Sequence, residues 1–248
     1  MKINTCYLKR YYQRFLQIIF CFAIATLYSC DNTSTPPANP YDYYPLSIGQ
    51  YSIYQVNEVI YSSGQNDSIV NSFQEKDEVI SLTTDVMGNE TYTIWRSSRI
   101  NESGYWQKNK EYKVQRVPDK IIVDLNNETI VPLIFPIDLS LQWNAYLYFN
   151  LNDKDYRYGY KSKYQKIGEP LTIKDKNFKN TVKVEERLDT TGLIKYNLAV
   201  KYYAEGVGLI SEKEADFEYL QNNGELEGYK VIASGKRKDR VIMDYGHN

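Results

Sequence analysis

Several sets of side chains in this sequence have types and spacings that could do chemistry. Glu185-Glu186 and the pair Asp119/Asp124 supply carboxylates of the kind a glycosidase uses, one as acid and one as base or nucleophile. Glu212, Glu214, Asp216 and Glu218 recur at every second position and could offer oxygens to Ca²⁺. Gly206-Val207-Gly208 has the look of a phosphate loop, and Trp95, Trp106 and Trp143, with the tyrosines, could form stacking platforms for sugars or line an apolar pocket. The soft ligands are few. His247 is the single histidine, and Cys6, Cys21 and Cys30 are the only cysteines. A Ser-His-Asp or Cys-His site would therefore have to be built at the C-terminus, and a structural zinc site lacks its donors.

The elements that must position these residues argue for plainer roles. Alternation sends Glu185 and Glu186 to opposite faces of a strand, so they do not converge. Side chains two apart on a strand fan out along it, whereas calcium wants six to eight converging oxygens, so the four acids read as a solvated, lysine-paired face. A phosphate loop needs a helix N-terminus behind it, but the residues after Gly208 read as a strand, which makes the segment a turn with a bulge. Trp95 and Trp143 are expected in the core, with tyrosine covering sheet surface. The run Lys236-Arg237-Lys238-Asp239-Arg240 is short, contains an acid, and reads as a solvated tail. No catalytic residue, metal or cofactor is expected.

The N-terminus reads as an address. Lys9, Arg10 and Arg14 form a basic region ahead of the apolar stretch 15–28, which is too short to span a bilayer comfortably and suits a signal peptide. Two cleavage signals compete: Ala23-Ile24-Ala25 for ordinary secretion, and Leu27-Tyr28-Ser29-Cys30, which resembles a bacterial lipobox with Cys30 as the lipidated residue. Asp31–Pro40 is polar, holds three prolines and reads as a flexible tether. A lipidated Cys followed by a tether is coherent where a free thiol on a tether is not, so lipidation at Cys30 (a palmitate-type anchor) is the expected outcome. Residues 1–29 carry four of the 30 basic charges and no acid. The remainder has 26 against 31 acids, a net of −5, which gives no case for nucleic acid as a partner. Once 1–29 are removed, Cys30 stands alone and no internal disulfide is expected.

Composition beyond the address is ordinary globular, at 42% hydrophobic and 25% charged, with 25 tyrosines that favour half-buried strands. Alternating apolar residues and closely spaced turn signals predict an all-β single domain, a strongly curled antiparallel meander forming an open or incomplete barrel, with little or no helix in the mature part. The division is 1–29 signal peptide, 30–40 tether, 41–235 β domain and 236–248 polar tail. Predicted strands include 146–151, 156–166, 181–188, 193–204, 208–220 and 228–234. Residues 130–143, broken by Pro132 and Pro136, read as a packed connection rather than a central strand. In the hairpin 193–220, turning at Glu205-Gly206, an even loop pairs even with odd positions. Ile194, Tyr196, Leu198, Val200 and Tyr202 are then expected to face the core, with the acids in solvent and Lys195 opposite Asp216.

Tyr44-Pro45-Leu46-Ser47-Ile48-Gly49-Gln50-Tyr51 resembles the YPL-x-x-G-x-x-W/Y opening of many uncharacterised Bacteroidota lipoproteins, with Tyr51 at the W/Y position. Thr91–Arg96, Phe135-Pro136-Ile137 with Trp143-Asn144, Val182–Glu185, and the YA-x-GVGL-like segment Tyr202–Ile210 follow in the same order over nearly all of 41–235. The resemblance implies a curled antiparallel sheet and an envelope location and transfers no catalytic residues. The expected role is that of a non-enzymatic lipoprotein of the cell envelope, anchored in the outer membrane through lipid on Cys30 and presenting a sheet surface to an envelope protein or glycan. The alternatives are a glycan- or lipid-binding lipoprotein and a hydrolase using paired carboxylates. Exposed aromatics in a cleft would mark glycan binding, a deep apolar cavity lipid binding, and two acids converging in a pocket an enzyme.

Overall fold

The computed structural model describes residues 39–62, 67–226 and 231–248; the signal segment, Cys30 and most of the tether lie outside them. The chain is nearly all β. After a 3₁₀ turn at Pro40–Tyr43, capped by the Asn39 side chain, come β1 (Gln50–Tyr61), β2 (Ser68–Thr84), β3 (Glu90–Arg99), β4 (Gln107–Val117), β5 (Lys120–Leu125) and β6 (Glu128–Ile134). They are followed by β7 (Gln142–Trp143), β8 (Ser162–Ile173), β9 (Lys176–Asp189), β10 (Lys195–Ala204) and β11 (Gly208–Tyr219). The short β12 (Gln221–Asn222) and β13 (Glu225–Leu226) form a separate hairpin, and β14 (Ile232–His247) ends the chain.

Twelve strands form one antiparallel sheet in the order β6-β5-β4-β3-β2-β1-β14-β11-β10-β9-β8-β7. Most meander steps follow from a short turn joining neighbours, although β7 reaches β8 through the longer segment 144–161. The exception to chain order is β14, which inserts between β1 and β11 and pairs with both over most of its length. The sheet curls until its edges nearly meet, leaving a barrel with an unsealed seam. Across the seam the Val131 N–H donates to the Ala145 carbonyl at 2.8 Å and the Trp143 indole to the Val131 carbonyl at 2.8 Å. The Tyr164 hydroxyl meets both main-chain groups of Ile134. Pro132 falls where the β5–β6 register shifts, the place where a residue without an N–H is tolerated.

Apolar packing is concentrated in two clusters. One gathers Val79, Ile94, Val114, Val123, Val131, Leu133 and Trp143 with the N-terminal Tyr43; the other gathers Tyr54, Val56, Phe178, Val207, Ile210 and Ile242. The N-terminal segment is part of the floor. Gly206 N–H donates to the Asp42 carbonyl, the Tyr41 hydroxyl donates to the Val117 carbonyl, and Tyr44, Pro45 and Leu46 face the interior.

The strand pattern corrects several expectations. Residues 236–247 are not a polar tail: they belong to β14, paired with β1 to His247 and with β11 as far as Val241, so the β domain extends past residue 235. Residues 146–151 are turns rather than a strand, and the strand predicted over 156–166 starts at Ser162. Part of 130–143 is the edge strand β6. Trp143 is buried as expected, whereas Trp95 is 40% exposed and carries the Lys108 ammonium over its ring.

The hairpin β10–β11 keeps the expected parity but inverts its sides. Tyr196 pairs with Phe217 and Leu198 with Ala215, so the apolar sets do share a face, and Lys195 lies opposite Glu218, not Asp216. That face is the outer one, where the rings of Tyr196 and Phe217 stack 4.7 Å apart. The other face, with Lys201, Glu212 and Glu214, lines the interior. The reason is the size of the barrel. With twelve strands the side chains cannot fill the middle, and the interior becomes a lumen that tolerates charge.

Candidate functional site

The lumen holds a cavity of about 350 Å³, within the range of small-ligand sites. Around it runs a belt of alternating charge contributed by six strands: Arg96 (β3), Asp77 (β2), Arg240 (β14), Glu212 (β11), Lys201 (β10) and Glu186 (β9). Register explains the order. Asp77 pairs with Arg96 across β2–β3, Glu212 with Arg240 across β11–β14, and Lys201 with Glu212 across β10–β11. Arg96 binds Asp77 with two parallel bonds of 2.7 and 2.8 Å, the fork geometry that favours arginine. Arg240 reaches the same carboxylate at 2.5 Å, lies 3.1 Å from Glu75, and stacks its guanidinium 3.7 Å from the centre of the Tyr54 ring. Lys201 lies 2.7 Å from Glu186 and 3.4 Å from Glu212, and Lys238 lies 3.7 Å from Glu212.

Titration follows these contacts. Burial pushes the Asp77 carboxyl up, but the guanidiniums of Arg96 and Arg240 outweigh it and hold the group well below the usual carboxylate range. Glu212 behaves alike: burial opposes ionisation, Lys201 and Lys238 favour it, and the group is lowered to about 2. Glu214, two residues on, goes the other way. Burial, then Glu212 and Glu186, push it up, and no hydrogen bond or ion pair among the described residues holds its carboxylate.

A bulge in β9 sets the upper part of the site. The β9–β10 register runs Val200 with Glu185 and then Ala199 with Arg187, leaving Glu186 as the extra residue. Such an insertion re-aims side chains, and here consecutive residues both reach the interior: Glu186 to Lys201, Arg187 to the cavity. Glu185 binds Lys163 instead. Glu185 and Glu186 are therefore separated, as alternation predicted, but Glu186 belongs to the belt. The turn segment 144–161 adds Tyr146, Tyr156 and Arg157 to the lining. Arg157 is tied to Asp155 at 2.9 Å and Glu128 at 3.0 Å.

The other residues singled out in the sequence fall elsewhere. Asp119 pairs with Lys120 at the surface and Asp124 bonds Thr129 on an exposed hairpin, so the two do not converge. Glu218 pairs with Lys195 in solvent. Gly206 and Gly208 form the β10–β11 turn, both with positive φ. His247 is exposed beside Asn248 at the end of β14. Among the described residues no three metal-binding side chains gather. Lys236, Lys238 and Arg240, read from sequence as a tail, face the cavity. Their spacing of two was the one signal that could have placed them on one side of a strand.

No protein family description matches the chain, and no curated protein is significantly similar to it. Among solved structures, the chain is similar to a lipoprotein candidate of Parabacteroides distasonis, at 11% identity and a TM-score of 0.43 over 82% of this chain and 98% of that one. It is also similar to an exported-protein candidate of Bacteroides fragilis with a YmcC-like fold, at 9% identity and a TM-score of 0.43 over 82% and 97%. Likenesses this remote carry no argument about what this chain does.

Proposed function

We propose that this chain is a non-enzymatic lipoprotein of the cell envelope, anchored through Cys30 in the outer membrane, whose barrel lumen binds a small polar ligand. The observation that carries the reading is the lumen lining: a cavity of about 350 Å³ walled by an alternating ion-pair belt and by Tyr44, Tyr54, Tyr112, Tyr146 and Tyr156. Buried charges are expensive to keep, and a barrel needing only stability would line this space with apolar side chains. The belt suits a ligand rich in hydroxyls and charge, such as a sugar derivative, with Leu46, Val79, Ile94, Val114 and Val123 on the same lining to meet its less polar face. The signal-like 1–29, the lipobox-like Leu27–Cys30 and the tether support the anchor.

One observation favours a second reading. Glu212 and Glu214 face the same cavity with titrations pushed apart, one lowered to about 2 and the other raised, and such a split marks acid–base pairs in hydrolases. Against it, Glu212 is held by two lysines and is poorly placed to act as a nucleophile. Thermal denaturation of the mature protein with monosaccharides, sugar acids, amino acids and a fatty acid tests the first reading. Stabilisation by a polar class is expected, and stabilisation by the fatty acid alone would overturn it. Turnover of nitrophenyl glycosides, lost in Glu214→Gln, would establish the second.

A further inference from the structure

We infer that the lumen ligand carries an anionic group, a carboxylate or a phosphate, and that Arg187 and Tyr146 receive it. The inference rests on the lumen-binding reading and names the ligand's chemical class. Arg187 is 2% exposed, yet among the described residues no carboxylate forms an ion pair with it. Each other arginine facing the cavity has one: Arg96 and Arg240 share Asp77, and Arg157 has Asp155 and Glu128. Among the described residues the one hydrogen bond of the Arg187 side chain runs from Nη1 to the Tyr146 hydroxyl at 3.1 Å, and its Nε is buried with no hydrogen-bond partner. A buried guanidinium with open donors is costly unless something fills them.

The surrounding groups complete a receptor for an acceptor-rich anion. Tyr146 accepts the Arg187 bond, so its own O–H remains to donate. Burial, with Glu186 behind it, pushes that phenol up to about 12, so the proton is present at physiological pH. Tyr156 presents its ring 5.0 Å from the guanidinium. Lys236 and Lys238 line the adjoining niche, and Ala199 lies between Arg187 and Glu214 in register. The opposing charges are Glu214, Asp216 and Glu58 in the same niche and Glu186 beside Arg187 in the β9 bulge, which Lys201 binds. Of these, Glu214 alone also lines the main cavity, and burial, with Glu212 and Glu186 near it, disfavours its charged form.

The test uses the mature protein in detergent, with arginine side-chain Nε–Hε resonances followed by NMR. The Arg187 signal is assigned by its loss in Arg187→Lys. Three probes are titrated: D-glucuronate for a carboxylate, D-glucose 6-phosphate for a phosphate, and D-glucose as the neutral comparison. One of the two anions should move the Arg187 signal with at least tenfold higher affinity than glucose, and which one does so identifies the group. Arg187→Gln should weaken that anion tenfold or more while leaving glucose unchanged. Glu214→Gln should tighten it severalfold; this variant removes a charge without creating a cavity. Arg187→Lys, which keeps the charge and loses the fork, should fall between and guards against a folding defect in the Gln variant. If glucose binds as tightly as both anions, or if Glu214→Gln weakens binding, the anion assignment is wrong and lumen binding stands. If none of the probes moves any resonance of a lumen residue, both fail.

Discussion

Asp77 is the carboxylate to which both Arg96 and Arg240 donate. Its carboxylate answers two buried guanidiniums at once, and replacing it with alanine removes their hydrogen-bonded partner and leaves them only Glu75, 3.8 Å from Arg96 and 3.1 Å from Arg240. Asp77→Ala should destabilise the fold by about 3–5 kcal/mol, measurable by urea denaturation. Arg187→Gln removes a charge that has no carboxylate of its own and should leave the midpoint unchanged or raise it. A fall comparable to that of Asp77→Ala would make Arg187 structural. The acids also set the pH response. Asp77 and Glu212 have folded-state values below their unfolded ones, so their stabilisation is complete above the ordinary carboxylate range. It is lost as pH falls through that range toward about 2, and the melting temperature should decline over that window. Glu214 has the opposite sign. Its folded value is raised, so its contribution is favourable only at low pH and turns into a cost as pH rises through that value. Glu214→Gln should therefore raise the melting temperature at pH 7 and lose that advantage in acid.

At the scale of elements, β14 decides whether there is a barrel at all. It lies between the first strand and β11, so removing 236–248 breaks two ladders rather than trimming a tail, and the truncated chain should fail to fold, as read by circular dichroism and protease sensitivity. Gly235, at φ +126°, lets β11 pass close by. A Cβ there would lie 2.2 Å from the Asp216 carbonyl oxygen and 2.5 Å from the Phe217 Cα. Gly235→Ala should cost about 2 kcal/mol or more by thermal denaturation. The hairpin β10–β11 shows how far alternation alone can be read. Which residues share a face came out as read, but by another route: the loop Glu205-Gly206-Val207 has three residues, not two, and a bulge that leaves Ile210 unpaired restores the even-with-odd pairing. Which face lies inside was not legible. The apolar set Tyr196, Leu198, Phe217 looks like core only if the interior is packed, and the number of strands around the barrel, a property of the whole sheet, makes it hollow. The same ambiguity hid β14, whose Lys236, Lys238 and Arg240 look solvated until Glu212 and Asp77 are seen across from them. Nothing local announced the β9 bulge that delivers both Glu186 and Arg187.

The whole molecule joins an expected anchor to a charged lumen. If the anchor is lipid, Cys30→Ser should shift the protein from the membrane fraction to the soluble envelope fraction or leave it unprocessed, as followed by fractionation and intact-mass measurement. Retention in membranes with an unmodified N-terminus at Thr26 would contradict lipidation. Two apolar clusters supply packing, and part of each meets the ion-pair belt in the lining of the cavity. That arrangement leaves the upper lumen free for a ligand. The most direct test is a crystal structure of the mature protein soaked with D-glucuronate. The account predicts Lys201, Glu212 and Glu214 turned inward, with the sugar acid in the lumen and its carboxylate against Arg187 and Tyr146. An interior packed with Tyr196, Leu198 and Phe217 with Glu214 in solvent, or a correctly sided barrel with the probe bound only on its outer surface, would contradict it.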